Sequence, residues 1–213
     1  MKKRKEDYEK GVRVEDKFET ILQEEYGLDT SRSTRDQDRL ESWYIYVGEY
    51  MHEDANVNIV NLLGSRIDVK GIKGDGYTWL ELLAYSSQIG DRKLGWLLRG
   101  KADYIAFERA NDFLVIKKSN LKDFVYNKIP LLQELEDKTA NLDASLENKE
   151  RWFCNDICAA WGLFDMIDDR HRKDEALYEI LYTRWQYDHM PDLLFKIKNS
   201  DLVNMSDFII KKR

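Results

Sequence analysis

The hydrophobic periodicity of this chain changes several times, and the order of the changes restricts its fold more than any other feature. Residues 5–26 carry apolar side chains at helical spacing, and Gly27 follows as a helix stop. Short β-prone runs, punctuated by glycines, come next at residues 43–47, 57–63, 66–72, 77–85, 102–107 and 112–116. Because strands and helices do not alternate regularly, we predict an α/β (α+β) fold in which a mixed central sheet is flanked by helices.

Smaller signals refine this interpretation. The runs at residues 102–107 and 112–116 are predicted to be adjacent strands joined by a short polar turn. A helix is predicted to follow them, with Ser119 or Asn120 as its cap. Residues 29–41 are polar and are predicted to form turns.

The C-terminal part of the chain differs in character. Residues 131–189 have helical spacing without a proline, and residues 193–197 and 208–210 are β-prone again. We therefore predict an α/β core at residues 1–130 and a mostly helical extension at residues 131–213 that packs on the core and returns a strand to it. Aromatic side chains are frequent in the extension, so it is the candidate surface for a protein partner.

Motifs and charge argue against several function classes. The sequence has no Walker motif, Rossmann fingerprint or nucleophile elbow, so nucleotide hydrolysis and acyl transfer lose support. The net charge of −6, from 34 basic and 40 acidic residues, is unlike that of a broadly basic nucleic-acid-binding protein. Local basic residues can still contact phosphates, and Arg35, Arg39 and Lys73 are the candidates. An ordinary solvated surface is the simpler interpretation of any one of them.

The sequence also predicts a location. No apolar run reaches the ~20 residues that a membrane helix needs, and the N-terminus lacks the apolar stretch of a signal peptide. The two cysteines, Cys154 and Cys158, are four residues apart in a predicted helix, a spacing that suits a disulfide poorly. We therefore expect a cytoplasmic protein with no membrane partner.

The tripeptide Asp68-Val69-Lys70 is the strongest chemical signal. Side chains alternate along a strand, so Asp68 and Lys70 are predicted to project from the same face. A carboxylate can hold Mg²⁺, and a neighbouring ammonium can orient the attacking water or stabilise the charge that develops on a phosphate. Alone, the tripeptide is also explained by an ion pair on an exposed strand.

Two further carboxylates join this candidate site. Glu81 lies in an apolar run, where a carboxylate needs a metal or a cation as partner. We predict that residues 67–72 and 77–83 are neighbouring strands, which brings Glu81 to the same cleft as Asp68 and Lys70. Glu19, at the border of the apolar stripe of the first helix, is a further candidate metal ligand, although a solvated helix residue explains it equally well.

Several short motifs occur in a fixed order. They are a Ser/Thr-rich lead-in at residues 33–39, Asp-Val-Lys-Gly at 68–71, Trp-Leu-Glu at 79–81, Gly-Trp-Leu at 95–97 and Ala-Asp-Tyr-Ile-Ala-Phe at 102–107. This series resembles a family of mainly phage-encoded proteins of the PD-(D/E)XK, or restriction-endonuclease-like, nuclease superfamily. The similarity covers roughly residues 12–125 and extends to the ending at 192–202.

The resemblance implies a mixed sheet between helices, one or two Mg²⁺ or Mn²⁺ ions, and cleavage of DNA or RNA phosphodiesters. It also implies the cytoplasm of a bacterium or of a phage-infected host. Carried over by motif, the catalytic residues are Asp68, Lys70 and Glu81.

Two positions depart from the pattern of that family. Tyr44 stands where a metal-binding aspartate is expected, and Leu83 stands where a lysine is usual. Either an acid of the preceding loop reaches the metal, or Asp68 and Glu81 suffice while Lys70 replaces the displaced lysine, or the site has decayed. The candidate loop acids are Asp36, Asp38 and Glu41.

Two functions therefore compete. The first is a metal-dependent nuclease, supported by Asp68, Lys70 and Glu81 together. The second is a catalytically degenerate protein of the same fold that binds nucleic acid or a protein partner, supported by Tyr44, Leu83 and the acidic net charge. Metal binding discriminates between the two hypotheses, because a hard cation needs its oxygen ligands.

Overall fold

The computed structural model describes residues 2–34, 37–38, 41–50, 57–71, 76–86, 91–134, 137, 181–184 and 192–212. Their helices are α1 (Lys2–Tyr26), α2 (Trp96–Arg99), α3 (Lys118–Lys128) and α4 (Asn199–Met205), with a 3₁₀-helix at Val57–Leu62. The strands are β1 (Leu28–Arg32), β2 (Ile45–Tyr50), β3 (Arg66–Gly71), β4 (Tyr77–Ser86), β5 (Asp91–Leu94), β6 (Tyr104–Glu108), β7 (Asp112–Lys117), β8 (Leu181–Arg184), β9 (Asp192–Lys198) and β10 (Phe208–Lys211). None of these helices is both long and apolar enough to span a membrane.

The described strands form two sheets. One has the order β1-β2-β3-β6-β7-β10 and the other has the order β5-β4-β9-β8. The six-stranded sheet is mixed, because β3 and β6 run parallel while its other neighbours are antiparallel. The predicted α+β class with a mixed central sheet flanked by helices is confirmed.

The chain folds into two compact units, and each is built from separated segments. The first comprises residues 1–78, 99–121 and 197–213 and contains the six-stranded sheet. The second comprises residues 79–98 and 122–196, to which most of the four-stranded sheet belongs. The boundary predicted at residue 130 remains a prediction.

Helix α1 covers one face of the six-stranded sheet. Val14 and Phe18 are buried in one apolar cluster with Ile67 and Val69 of β3. The ring of Phe18 meets the ring of Phe113 edge to face, with 4.9 Å between their centroids. Because Ile67 and Val69 face α1, strand alternation places Asp68 and Lys70 on the opposite face of the sheet.

Several predicted elements are confirmed. The predicted first helix is α1, and Gly27, at φ 63°, ends it by donating its N–H to the carbonyl oxygen of Gln23 at 3.2 Å. Strands β6 and β7 form the predicted hairpin. The predicted return of the chain to strand is also present, because β10 pairs with β7 and so extends the sheet that the N-terminal residues build.

The predicted pairing of residues 67–72 with 77–83 is wrong. Strand β3 is hydrogen-bonded to β2 and β6, whereas β4 lies between β5 and β9 in the other sheet. The glycine-rich turn suggested a local hairpin, but β6 has a doubly buried run of apolar residues that pairs in parallel with β3. A parallel partner so far along the chain has no local sequence signal.

Four smaller predictions also fail. Residues 57–62 form a 3₁₀-helix instead of a strand, since Asn58 and Asn61 interrupt the β-formers and favour turn-like backbone. The predicted cap residues Ser119 and Asn120 lie inside α3, which begins at Lys118. Residues 28–32, mostly within a predicted turn, form the edge strand β1, whose largely exposed side chains gave no apolar pattern. Residues 181–184, predicted to be helical, form β8 because they pair with β9.

Candidate functional site

Strand β3 brings Asp68 and Lys70 together as predicted. The ammonium Nζ of Lys70 lies 2.8 Å from Oδ2 of Asp68. Asp68 is 3% exposed, whereas 31% of the Lys70 side chain is exposed. The pair therefore joins a buried carboxylate to a cation that solvent, and a ligand, can reach.

The pairing of β2 with β3 ends next to Asp68 and Lys70. Strand β2 pairs with β3 at Ile45–Ile67 and Tyr46–Arg66, and the N–H of Tyr44 donates to the carbonyl oxygen of Ile67 at 2.9 Å. From Asp68 onward, β3 pairs with β6 in the described part of the chain. Strand β2 thus separates from β3 next to Asp68, and Asp38 in the loop before β2 lies close enough for its charge to act on the Asp68 carboxyl.

Burial dominates the electrostatics of Asp68. It raises the pKa of the Asp68 carboxyl, and the Lys70 ammonium counteracts this increase by its charge and by hydrogen bonding. The negative charge of Asp38 raises the same pKa, and the positive charge of Lys118 lowers it. Among the described residues, the partner of the buried Oδ2 is the Lys70 ammonium, which lies 2.8 Å away.

Glu15 on α1 is a candidate that the sequence analysis missed. Its pKa is raised to about 7, mainly by burial and in addition by the charges of Asp38 and Asp68. Lys70 lowers the pKa of Glu15, so these four groups influence one another electrostatically. A usable signal was present in the sequence, because Glu15 precedes Glu19 by one helical turn and borders the same apolar stripe.

A local capping arrangement positions Asp38. The backbone N–H of Gln37 donates to the hydroxyl of Thr34 at 3.2 Å, and the N–H of Thr34 donates to Oε1 of Gln37 at 2.9 Å. This reciprocal pair is the capping box of a helical turn. The N–H of Asp38 continues the turn by donating to the carbonyl oxygen of Thr34 at 2.9 Å.

Two of the predicted metal ligands already have cationic partners. Glu19 is buried, and its Oε2 accepts a hydrogen bond from Nε of Arg32 at 2.5 Å. Glu41 accepts hydrogen bonds from Nε1 of Trp43 at 2.8 Å and from Nζ of Lys101 at 3.0 Å. These two bonds lower the pKa of Glu41. Both acids are therefore less suited to a metal than Glu15 or Asp38.

Tyr44 lies at the position where the resembling family has an aspartate. Its ring packs against the α1 cluster, and the guanidinium carbon of Arg32 lies 5.4 Å from the ring centroid. Burial raises the pKa of Tyr44 to about 12, so its hydroxyl stays protonated at neutral pH. Tyr44 cannot replace the missing carboxylate under those conditions.

The place of the remaining predicted residues beside Asp68 stays a prediction. Glu81 lies on β4, within the second compact unit, and its role beside Asp68 remains a prediction. Outside the described residues lie the predicted nucleic-acid contacts and one loop acid: Arg35, Arg39, Lys73 and Asp36.

The donor set around Asp68 suits a hard divalent cation such as Mg²⁺ or Mn²⁺. Asp68, Glu15 and Asp38 offer carboxylate oxygens, which these ions prefer. The charges of Asp38 and Asp68 raise the pKa of Glu15, and the charge of Asp38 raises the pKa of Asp68, so a bound cation would relieve this repulsion. Within the described ranges, no three acidic, histidine or cysteine side chains form a group that could hold a metal ion.

Comparisons with known proteins add no assignment. No protein-family model matches the chain, and neither the search of curated proteins nor that of solved structures finds a match.

Proposed function

We propose that this protein is a metal-dependent nuclease with a restriction-endonuclease-like fold that hydrolyses phosphodiester bonds of DNA or RNA in the cytoplasm. The observation that supports this proposal most is the buried Asp68 carboxylate with the Lys70 ammonium 2.8 Å away, beside the point where β2 and β3 separate. A fixed carboxylate and a solvent-accessible cation are the two charges that phosphodiester hydrolysis requires at one position.

Each side chain then has a distinct task. Asp68 would hold the cation. Asp38, from the loop before β2, and Glu15, from α1, lie within electrostatic range of this site and would complete the ligand set in place of an acid at Tyr44. When bound, Mg²⁺ or Mn²⁺ polarises the phosphate and lowers the pKa of a bound water. Lys70 orients the attacking water and stabilises the negative charge that develops on the phosphate oxygens. Glu81 is retained as a predicted ligand.

Tyr44 favours a second function, in which the same fold binds nucleic acid or a protein without cleaving it. A tyrosine with a protonated hydroxyl supplies no negative charge to a cation. The two functions differ in one observable property, because only the nuclease requires a metal ion for turnover.

A cleavage assay tests the proposed function. Fluorescently labelled single- and double-stranded DNA and RNA oligonucleotides are incubated with the full chain and Mn²⁺ or Mg²⁺. We expect at least one substrate to be cut, and we expect EDTA to abolish cutting. Lys70→Ala should reduce the rate at least about a hundredfold, since it removes the cation next to the reacting phosphate.

Lys211→Ala is the matched control. It also deletes one lysine charge, but Lys211 lies on β10 with 69% of its side chain exposed. We expect its cleavage rate to equal that of the wild type. Absence of cleavage of all four substrates, or cleavage that survives Lys70→Ala, contradicts the proposal.

A further inference from the structure

The sheet face that carries Asp68 and Lys70 continues from β3 onto β2 and the edge strand β1. Ser31 of β1, Tyr46 of β2 and Arg66 of β3 form one row across neighbouring strands. The next row contains Ile45 and Ile67, which face α1 in the buried cluster. Side-chain alternation therefore puts Ser31, Tyr46 and Arg66 on the face opposite α1, together with Asp68 and Lys70. We call these five residues the Tyr46 face.

An accessible aromatic ring lies in the middle of this row. Tyr46 is 40% exposed, which makes it one of the most exposed large apolar side chains in the described part of the chain. Its neighbour Ser31 is exposed as well. A ring that stands on an open sheet face between a hydroxyl and a guanidinium can stack on a flat ligand without any rearrangement of the core.

A cation lies next to that ring. The guanidinium of Arg66 pairs with Asp103, with 3.2 Å between Nε and Oδ2, and both side chains are more than a third exposed. The pair is bidentate, because Nη2 of Arg66 also donates to Oδ1 of Asp103 at 3.3 Å. A phosphate can compete with Asp103 for this exposed guanidinium, since arginine binds phosphate through the same planar donors that it uses for a carboxylate.

The spacing connects this surface to the candidate site. Neighbouring strands lie about 4.8 Å apart, and two residues along a strand span about 6.7 Å, so the Cα atoms of Tyr46 and Asp68 are separated by about 8 Å. Two residues beyond Tyr46 along β2, an added Cβ at Gly48 would lie 3.2 Å from Oδ2 of Asp29. That carboxylate repels phosphate, which favours a ligand path from Tyr46 towards Lys70.

We infer that the Tyr46 face binds single-stranded nucleic acid, with a base stacked on Tyr46 and a neighbouring phosphate on Arg66, and leads the strand to Asp68 and Lys70. This inference rests on the proposed function and specifies its substrate. An isolated ring on a sheet stacks on a base only when that base is unpaired, as in single strands. Duplex substrates keep their bases stacked on one another and so gain nothing from Tyr46.

Binding in the absence of catalysis tests the inference. Fluorescence anisotropy is measured in EDTA with the full chain, using a labelled oligothymidylate and a labelled duplex of equal length. We expect the single strand to bind more tightly than the duplex. Tyr46→Ala should weaken single-strand binding about tenfold, which is within the range for the loss of one stacked base, whereas Tyr46→Phe should retain the affinity.

Two further variants separate stacking from charge and from general surface effects. Arg66→Gln should reduce the slope of log K against log salt by about 0.7, the value for one phosphate contact on a single strand. Ile209→Ala is the matched control, because Ile209 is 43% exposed but lies on β10, at the far edge of the same sheet. It should leave the affinity unchanged.

The outcomes distinguish this inference from the proposed function. No binding of the single strand, equal affinity for both oligonucleotides, or equal effects of Tyr46→Ala and Ile209→Ala would overturn the inference. None of these results touches metal-dependent cleavage, which the Lys70→Ala assay decides. Conversely, Tyr46-dependent binding by a chain that never cuts would keep the inference and reject the nuclease.

Discussion

Glu15 lies where the apolar side of α1 meets the charges around Asp68, and this position determines how its charge affects stability. Burial and two neighbouring carboxylates raise its pKa from 4.5 to about 7. Between these two pH values the folded chain retains a proton that the unfolded chain releases. The ionisation of Glu15 therefore lowers the free energy of unfolding as the pH rises from 4.5 to 7, and the full effect is present above pH 7.

The first prediction concerns this carboxylate. At pH 8 without metal, Glu15→Gln should raise the free energy of unfolding by about 1–2 kcal/mol. A pKa difference of one corresponds to about 1.4 kcal/mol, and solvent screens part of the total. At pH 4, where both forms are neutral, the difference should vanish. Urea unfolding at both pH values measures this difference in the free energy of unfolding. If Glu15→Gln were less stable than the wild type at pH 8, burial and the neighbouring carboxylates would not be the cause of the raised Glu15 pKa.

A second prediction separates the loop acids. Asp38→Asn should reduce metal-dependent cleavage at least about tenfold, because it removes a charge that acts on Asp68. Glu41→Gln should leave cleavage within about twofold of the wild type, since Glu41 is already bound by Trp43 and Lys101. Initial rates with saturating Mn²⁺ compare the two variants. The reverse order of effects would identify Glu41 as the acid that replaces Tyr44.

At the residue scale, side-chain alternation along a strand was enough to predict that Asp68 and Lys70 lie on the same face, since alternation depends on local geometry alone. For the helix acid, the sequence analysis named Glu19 and did not consider Glu15. Glu19 and Glu15 border the same stripe, and only the approach of Arg32 from β1 shows that Glu19 already has a cationic partner. The sequence analysis treated the segment of Arg32 as a turn, so the ion pair between Arg32 and Glu19 could not be predicted.

At the scale of single elements, α1 offers a matched pair of glycines. Gly27 ends the helix at φ 63°, whereas Gly11 lies inside it with open space around the position of an added Cβ. Gly27→Ala should lower the free energy of unfolding by about 1 kcal/mol, and Gly11→Ala should raise it by about 0.5–1 kcal/mol. Thermal or urea unfolding measures both. If both variants changed the free energy of unfolding in the same direction, the helix would not end at Gly27 as described.

Element prediction succeeded where the signal was local. The α1 helix has its own apolar period and stop, and the β6–β7 hairpin has a short polar turn between apolar runs. It failed where a distant partner decides the structure. Strand β1 is an exposed edge that exists through its pairing with β2, and β3 takes β6 as its parallel neighbour across the intervening β4 and β5. Such partners cannot be read from a window of a few residues.

On the scale of the whole molecule, the C-terminal residues complete a sheet begun by the N-terminal ones. Ile210 of β10 is fully buried and pairs with Phe113 of β7. We therefore predict that a fragment of residues 1–130 unfolds without the cooperative transition of the full chain. Ile210→Ala should lower the free energy of unfolding by about 2–4 kcal/mol in the full chain. A fragment with the wild-type unfolding midpoint, or a neutral Ile210→Ala, would show that the sheet does not depend on β10.

The central claim is that Asp68 holds a catalytic cation, and calorimetric titration of the full chain with Mn²⁺ tests it most directly. We predict saturable binding by the wild type and at least a tenfold weaker affinity for Asp68→Asn. Asp112→Asn is the control, because Asp112 is also a buried aspartate of the same sheet but is held by Arg109 at 2.6 Å. It should bind Mn²⁺ like the wild type. No binding by the wild type, or equal affinities for the wild type and Asp68→Asn, would contradict the claim.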